Sequence, residues 1–395
     1  MKFFSQIGAL IAFNVRTLPS RLGSAAAAIF GIACVVAVLV GILSISEGFS
    51  KVMTVNGSPD TAIVLRGGAD SEMTSVLMGD EINVIAAAPG IAQTAGKPLV
   101  SPELFVIVDL PKRSSNTPAN VPMRGVRAEA FAMRPEVKIV EGRQFQWGRN
   151  EVIVGRGAQR AFGGTEVGSE LKLGQNRWIV VGVFEAAGGI AESELWTDAA
   201  VLAPAYRRGN AYQTALVKLA SSGSFQQFKD ALTTDPRVNV RVMRETEYYA
   251  AQSAVLRNLV TFLAIIICGL MGLAAIFGAL NTMYTAVSAR AREIATLEAL
   301  GFGGAAVMVS VITEALLLAL IGGAVGSIAA YAAFDGYRAA TMNFATFSQV
   351  AFAFDVTPRL MTWAAIYAAL IGLIGGFFPA IRAARTPVSV ALRGR

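Results

Sequence analysis

Residues 258–289 read NLVTFLAIIICGLMGLAAIFGALNTMYTAVSA, a run without one charged side chain. About 20 predominantly apolar residues carry a helix across about 30 Å of hydrocarbon, so this run is long enough to cross a membrane. Three further uncharged runs have the same character: Leu22 to Ser46, Ala315 to Phe334 and Leu360 to Ile381. The whole chain agrees, because 54% hydrophobic and 15% charged residues with a mean hydropathy of +0.53 are far from an ordinary soluble domain. The expected fold is a membrane α-helical protein of four transmembrane helices, with a large α+β extracytoplasmic domain between helices 1 and 2.

The expected boundaries follow from the charges. Residues 1–21 form an interfacial helix, 22–46 the first span, 47–255 the extracytoplasmic domain with helical stalks, and 256–285 the second span. Residues 286–303 form a cytoplasmic helix, 304–334 the third span, 335–359 an outer loop, 360–381 the fourth span, and 382–395 a tail. An even number of spans puts both termini on one side. There lie Lys2, Arg16, Arg21, Arg290, Arg292, Arg382, Arg385, Arg393 and Arg395, against Arg257, Arg338 and Arg359 opposite. The bias predicts an inner-membrane protein with cytoplasmic termini. From Glu47 to Val255 the 22 Lys and Arg equal the 22 Asp and Glu, so the domain is neutral and no nucleic acid is an expected partner.

Within that domain, residues 74–87 read as a helix and LFVIVDL (104–110) as a strand. GRGAQRAFGGTEVGSELKLGQNRWIVVGVFE reads as a short helix, a Gly-rich turn and a hairpin. SFQQFKDALTTD is an amphipathic helix, and ETEYYAAQSAVLRNLVTFL runs without Gly or Pro into the second span, as one helix extending beyond the bilayer.

Several chemistries are excluded. The chain has no histidine, which removes the commonest general base and metal ligand, and its two cysteines, Cys34 and Cys268, both fall in spans. PGIAQTAGKPL has five residues between Gly90 and Gly96 where a phosphate loop has four, and a proline after Lys97. GRGAQR lacks the third glycine of a dinucleotide fingerprint, and no G-x-S-x-G elbow occurs. Acidic pairs such as Asp80 with Glu81 and Glu192 with Glu194 read as solvated charges. No catalytic residue, metal site or cofactor is expected in this chain.

Three features remain. Between the second and third spans, Ile294, Leu297 and Leu300 recur at helical spacing, Arg290 can pair with Glu293, and GFGG stops the helix at Gly301. Such a helix either rests on lipid or docks a cytoplasmic partner. Glu314 lies inside the third span, where a carboxylate is costly unless paired, protonated or near water, so it has a structural or a gating role. Gly322 with Gly326 and Gly372 with Gly376 have the small-xxx-small spacing of close helix packing, within the chain or between chains.

ARAREIATLEALGFGGAAVMVSVITEALLLALIGGAVG resembles the segment linking the second and third spans in ABC permeases of the MacB/FtsX class. The ending FFPAIRAARTPVSVALR and the hairpin region EVIVGRGAQRAFGGTEVGSELKLGQNRWIVVGVFE are similar to the same class. The resemblance implies two permease chains around an ATPase dimer, with ATP and Mg held on that separate ATPase subunit. Its motion reaches the periplasmic domain by mechanotransmission. Arg290, Arg292, Glu293, Ile294, Leu297 and Glu298 would then form an ATPase-coupling helix. The implied function is export or extraction of a lipoprotein, peptide or hydrophobic small molecule, with a periplasmic adaptor and an outer-membrane channel as further partners. The alternative is a mechanical signalling module that controls an extracytoplasmic enzyme.

Overall fold

The computed structural model describes residues 22–385, so the interfacial helix expected over 1–21 and most of the expected tail lie outside the described residues. The chain divides into two units, one of membrane-length helices and one built on a sheet.

Among the described residues four helices are long and apolar enough to cross a membrane: α1 (Leu22–Thr54), α7 (Glu245–Ala289), α9 (Gly304–Phe334) and α10 (Pro358–Arg385). A helix satisfies every backbone N–H and C=O within itself, which is why apolar sequence in lipid takes this form. All four differ from the uncharged runs. α1 continues through Glu47 and Lys51, and the 45 residues of α7 begin at Glu245. At 1.5 Å per residue α7 is about 67 Å long, over twice the hydrocarbon thickness. A charge ends the run that lipid tolerates, but it does not end a helix.

The glycines explain how these helices pack. A methyl at Gly326 would fall on the backbone oxygen of Ala33, and one at Gly322 would sit 2.8 Å from the oxygen of Ile29, so α9 meets α1 backbone to backbone. On another face of α9, Ala315 and Ala319 occupy the space that side chains at Gly376 and Gly372 would need on α10. The small-xxx-small pairs therefore serve packing within the chain. Around them Ile32, Val36, Val40, Ala364, Ala368 and Ile371 are buried.

In the other unit a ten-stranded mixed sheet comprises β1 (Thr61–Arg66), β2 (Val100–Pro111), β3 (Pro118–Val126), β4 (Val137–Gly142), β5 (Glu151–Gly155), β6 (Glu170–Leu173), β7 (Asn176–Ala186), β8 (Leu195–Asp198), β9 (Thr214–Lys218) and β10 (Val240–Arg244). The spatial order is β10-β1-β9-β2-β3-β8-β5-β7-β4, with β6 paired to β7. Only β3 with β8 and β5 with β7 are parallel pairs, so most of the sheet can be built from direct antiparallel pairing. β2 belongs to two lobes: Val100 to Glu103 pair with β9, and Leu104 to Pro111 pair with β3.

Each lobe has its own core. In the first, α2 (Gly79–Ala86) and α6 (Phe225–Thr233) cover Ala62, Val64, Ala215 and Val217 with Ile85, Phe228 and Leu232. In the second, Trp178 lies among Val106, Met123, Val154 and Leu195 on one face of the sheet, and Phe184 and Trp196 are buried with Ile153 and Val126 in another cluster. The expected hairpin is β6–β7, preceded by the short helix α4 (Arg156–Ala161); the helix expected over 74–87 is confined to α2, after a 3-10 turn at Glu72–Thr74.

The loop expected over 335–359 instead carries a hairpin, β11 (Arg338–Asn343) and β12 (Ser348–Ala353), which clusters with the sheet unit. Its period-two burial, with Ser348, Val350 and Phe352 inward, is a strand pattern too short to stand out beside two spans. Asn343 Nδ2 donates to Gln252 Oε1 at 2.9 Å, Asn120 Nδ2 to the oxygen of Phe347 at 2.8 Å, and the Ala351 amide to Ser193 Oγ at 3.0 Å.

Candidate functional site

Arg290 breaks the helical path after α7 with φ −103° and ψ 8°, and the next residue starts α8 (Ala291–Ala299). At its other end Gly301 takes φ +94°, a conformation glycine adopts without steric cost. The Gly301 amide donates to the Glu298 oxygen and the Phe302 amide to the Leu297 oxygen, a Schellman closure that satisfies the last carbonyls. This is the physical content of the GFGG stop.

α8 has two distinct faces. Ala295 is buried, and Ile294 packs against the cluster of Met283, Val307 and Val311 at this end of the helices. Arg290 also points inward: Nε donates to Glu293 Oε2 at 3.2 Å and Nη1 to Glu314 Oε2 at 2.9 Å, with both Arg290 and Glu314 buried. Arg292, Glu293, Thr296, Ala299 and Leu300 are exposed, Leu300 at 73%, and Leu297 and Glu298 are half-buried. Among the residues expected on a coupling surface, Arg290 and Ile294 thus belong to the packed side. Arg292 and Glu293 lie on the open side, and Thr296, Ala299 and Leu300 extend that face. The structure brings together Arg290, Glu293 and Glu314; it places Gly322, Gly326, Gly372 and Gly376 at the helix contacts described above.

Near α8, Arg382 of α10 stands over the Tyr284 ring of α7 at 5.6 Å, and a methyl on Gly304 would approach the oxygen of Ala384 to 2.9 Å. The first turn of α9 therefore lies against the last turn of α10.

The sheet unit holds a second constellation that sequence reasoning missed. Arg124 on β3 is buried and satisfied by three carboxylates. Nη1 donates to Glu72 at 2.6 Å and Glu103 at 2.9 Å, Nη2 to Glu72 at 3.1 Å and Glu194 at 2.8 Å, and Nε to Glu194 at 2.8 Å. Arg134 donates twice to Glu103, Trp196 Nε1 donates to Glu194 at 2.7 Å, and the Glu72 amide donates to the Tyr248 hydroxyl at 3.1 Å. The reading of Glu194 as a solvated charge is therefore corrected: it is 3% exposed, inside an ion network. The available signal was position, since Glu103 directly precedes the apolar run LFVIV of β2 and Arg124 stands between VPM and GV in β3.

Burial alone would push the Glu103 carboxyl up, but Arg134 and Arg124 outweigh it and hold it below the usual range. Burial opposes the charge on Arg124 as well, and Glu194 and Glu72 reverse that, raising it well above its ordinary value. Elsewhere the Arg143 guanidinium and the Gln146 amide hold Glu151 down to about 2. A carboxylate lowered by folding contributes stability that is present above its unfolded value and is lost as pH falls through its folded value. The sheet unit should lose thermal midpoint steadily as pH falls from about 4.5 to 2. Glu151→Gln should flatten that acid limb in melts followed by intrinsic fluorescence.

Among the described residues no group of three or more acidic, Cys or His side chains is placed to hold a metal ion. The three carboxylates around Arg124 are occupied by its guanidinium.

Comparison with known proteins agrees with this architecture. The family model described as MacB-like periplasmic core domain matches residues 25–235, and that described as FtsX-like permease C-terminal matches 263–388. The macrolide export ATP-binding/permease protein MacB of Pasteurella multocida is 24% identical over 324 residues, covering 73% of this chain and 45% of that protein. MacB of Nitrobacter winogradskyi is 38% identical over 118 residues, covering 30% of this chain and 17% of that protein. The chain thus spans less than half the length of the curated relatives it matches. The periplasmic region of MacB from Actinobacillus actinomycetemcomitans superposes with a TM-score of 0.38 at 14% identity, covering 49% of this chain and 92% of that one.

Proposed function

Because this chain belongs to the MacB/FtsX-like permease family, we propose that it is the membrane subunit of an ABC transporter whose ATP binding and hydrolysis take place on a partner ATPase subunit. Closure of the ATPase displaces α8, and the long helices carry that displacement to the sheet unit, which exports or extracts a lipoprotein, a peptide or a hydrophobic small molecule. The relatives' naming as macrolide exporters favours an apolar cargo. Two copies of the chain form the assembly in a bacterial inner membrane, with α8 and both termini cytoplasmic. A periplasmic adaptor and an outer-membrane channel complete the route.

The observation that carries this reading is the division of α8: one face is anchored among the spans, and the other offers Arg292, Glu293, Thr296, Ala299 and Leu300. A helix resting only on lipid would turn its apolar residues outward together. Here Ile294 and Ala295 are spent internally, and the open face is mainly polar with Leu300 at its end. That mixture suits a protein groove better than acyl chains.

The test is co-purification of the chain with the ABC ATPase produced beside it. Arg292→Glu combined with Leu300→Asp should lower retention of the ATPase more than about tenfold, since a loss of 1.4 kcal/mol suffices for that factor. The variant chain should melt as the parent does, because neither side chain is part of the packed face. Undiminished retention would sink the docking role of α8.

A further inference from the structure

Arg290 and Glu314 form a mechanical joint as well as an ion pair. α8 has only nine residues, and an isolated helix of that length is marginal, so its position is set by what it touches. It follows α7 across one non-helical residue, a natural place for the path to flex. Apolar contact through Ile294 holds α8 close to its neighbours without fixing an angle, because such contact is non-directional. The directional element is Arg290. Its guanidinium joins Glu293, in the first turn of α8, to Glu314, ten residues into α9 and so about 15 Å along that helix.

Glu314 is costly in that position unless paired, and its partner comes from the one residue that separates two helices. A pair that served only to neutralise Glu314 could be made from any residue within reach. This one sits at the break itself and also grips the first turn of the short helix.

We propose that the Arg290–Glu314 pair is the pin that makes α8 move with α9, so that displacement of α8 is delivered to the third span and does not dissipate in the joint after α7. Arg290 and Glu314 are then positioning residues. The proposal rests on the reading of α8 as the ATPase-docking helix, and it identifies which span receives the load.

The test uses the full chain in nanodiscs, with Cys34→Ser and Cys268→Ser removing its two native thiols. Spin labels on Thr296→Cys of α8 and Ala324→Cys of α9, both exposed positions, report the distance between the helices in the chain without its ATPase, whose binding and hydrolysis are read separately on the unlabelled chain. Glu314→Gln is compared with the double variant Arg290→Gln/Glu314→Gln, which removes both charges of the buried pair. Both should broaden the distance distribution, while the ATPase still binds and ATP hydrolysis by the complex falls about fivefold or more, the lower range of an allosteric coupling. A double variant with the parent distribution, or with parent hydrolysis despite a broadened one, overturns the pin. Absence of ATPase binding to the parent chain would instead defeat the docking reading, and the distances alone would then decide whether α8 and α9 are tied.

Discussion

Replacing Arg124 with methionine should abolish the native state of the sheet unit in the full-length chain. The substitution keeps most of the side-chain volume but leaves Glu72 and Glu194, both nearly inaccessible to water, without their guanidinium, and strips Glu103 of one of two. Breaking a single buried ion pair costs about 3–5 kcal/mol because the abandoned charge stays desolvated. Three carboxylates depend on this one side chain, and a domain has only about 5–15 kcal/mol in total. Limited proteolysis of the detergent-solubilised chain should show the region between α1 and α7 cleaved rapidly while the spans persist. Arg124→Lys should recover little, since an ammonium cannot match the five-contact fork that Arg124 makes with three carboxylates. Adding Glu72→Gln and Glu194→Gln to the methionine variant should recover part of the loss, because neutral amides cost less to bury. A methionine variant with parental protease resistance would show that the network contributes nothing net.

Gly326→Leu should be the most damaging single change in the membrane unit. The position faces the Ala33 backbone so closely that even a methyl group has no room, and backbone cannot rotate aside as a side chain can. Overpacking a close contact costs about 1–3 kcal/mol, and here α1 and α9 must separate along the stripe they share with Gly322. The thermal midpoint in detergent should fall, and Ala should reproduce much of the effect. Gly269→Ala is the control: nothing lies within 4 Å of the added carbon, and alanine is the better helix former by about 1 kcal/mol in soluble helices. Equal melts for Gly326→Ala and Gly269→Ala would contradict the packing described for α1 and α9.

Properties carried by neighbouring residues were legible in the sequence. The uncharged runs locate the four long helices, the alternation of ELKL and NRWIVVGVFE marks the β6–β7 hairpin, and Gly301 marks the end of α8. Properties that depend on distant partners were not. Glu194 looks solvated because its cation lies 70 residues away at Arg124, and Glu72 is 52 residues from the same side chain. Arg290 and Glu293 could be paired by spacing alone, yet the second arm of the fork, to Glu314, spans 24 residues and required the packing of α8 on α9. Helical period places Ile294 and Leu297 on one side of a helix. It does not say whether that side meets the protein's own core, and for Ile294 it does.

The hairpin β11–β12 bears on how the sheet unit could be handled in isolation. A soluble fragment of residues 48–258, cut within α1 and α7, would omit residues 338–353, leaving Gln252 without its Asn343 donor and uncovering Ser193 and Asn120. Phe49, whose ring meets Phe352 edge-on, would lose its aromatic neighbour too. Crystallisation or ligand screening of this unit therefore calls for a fragment in which the 338–353 segment is grafted back through a designed linker.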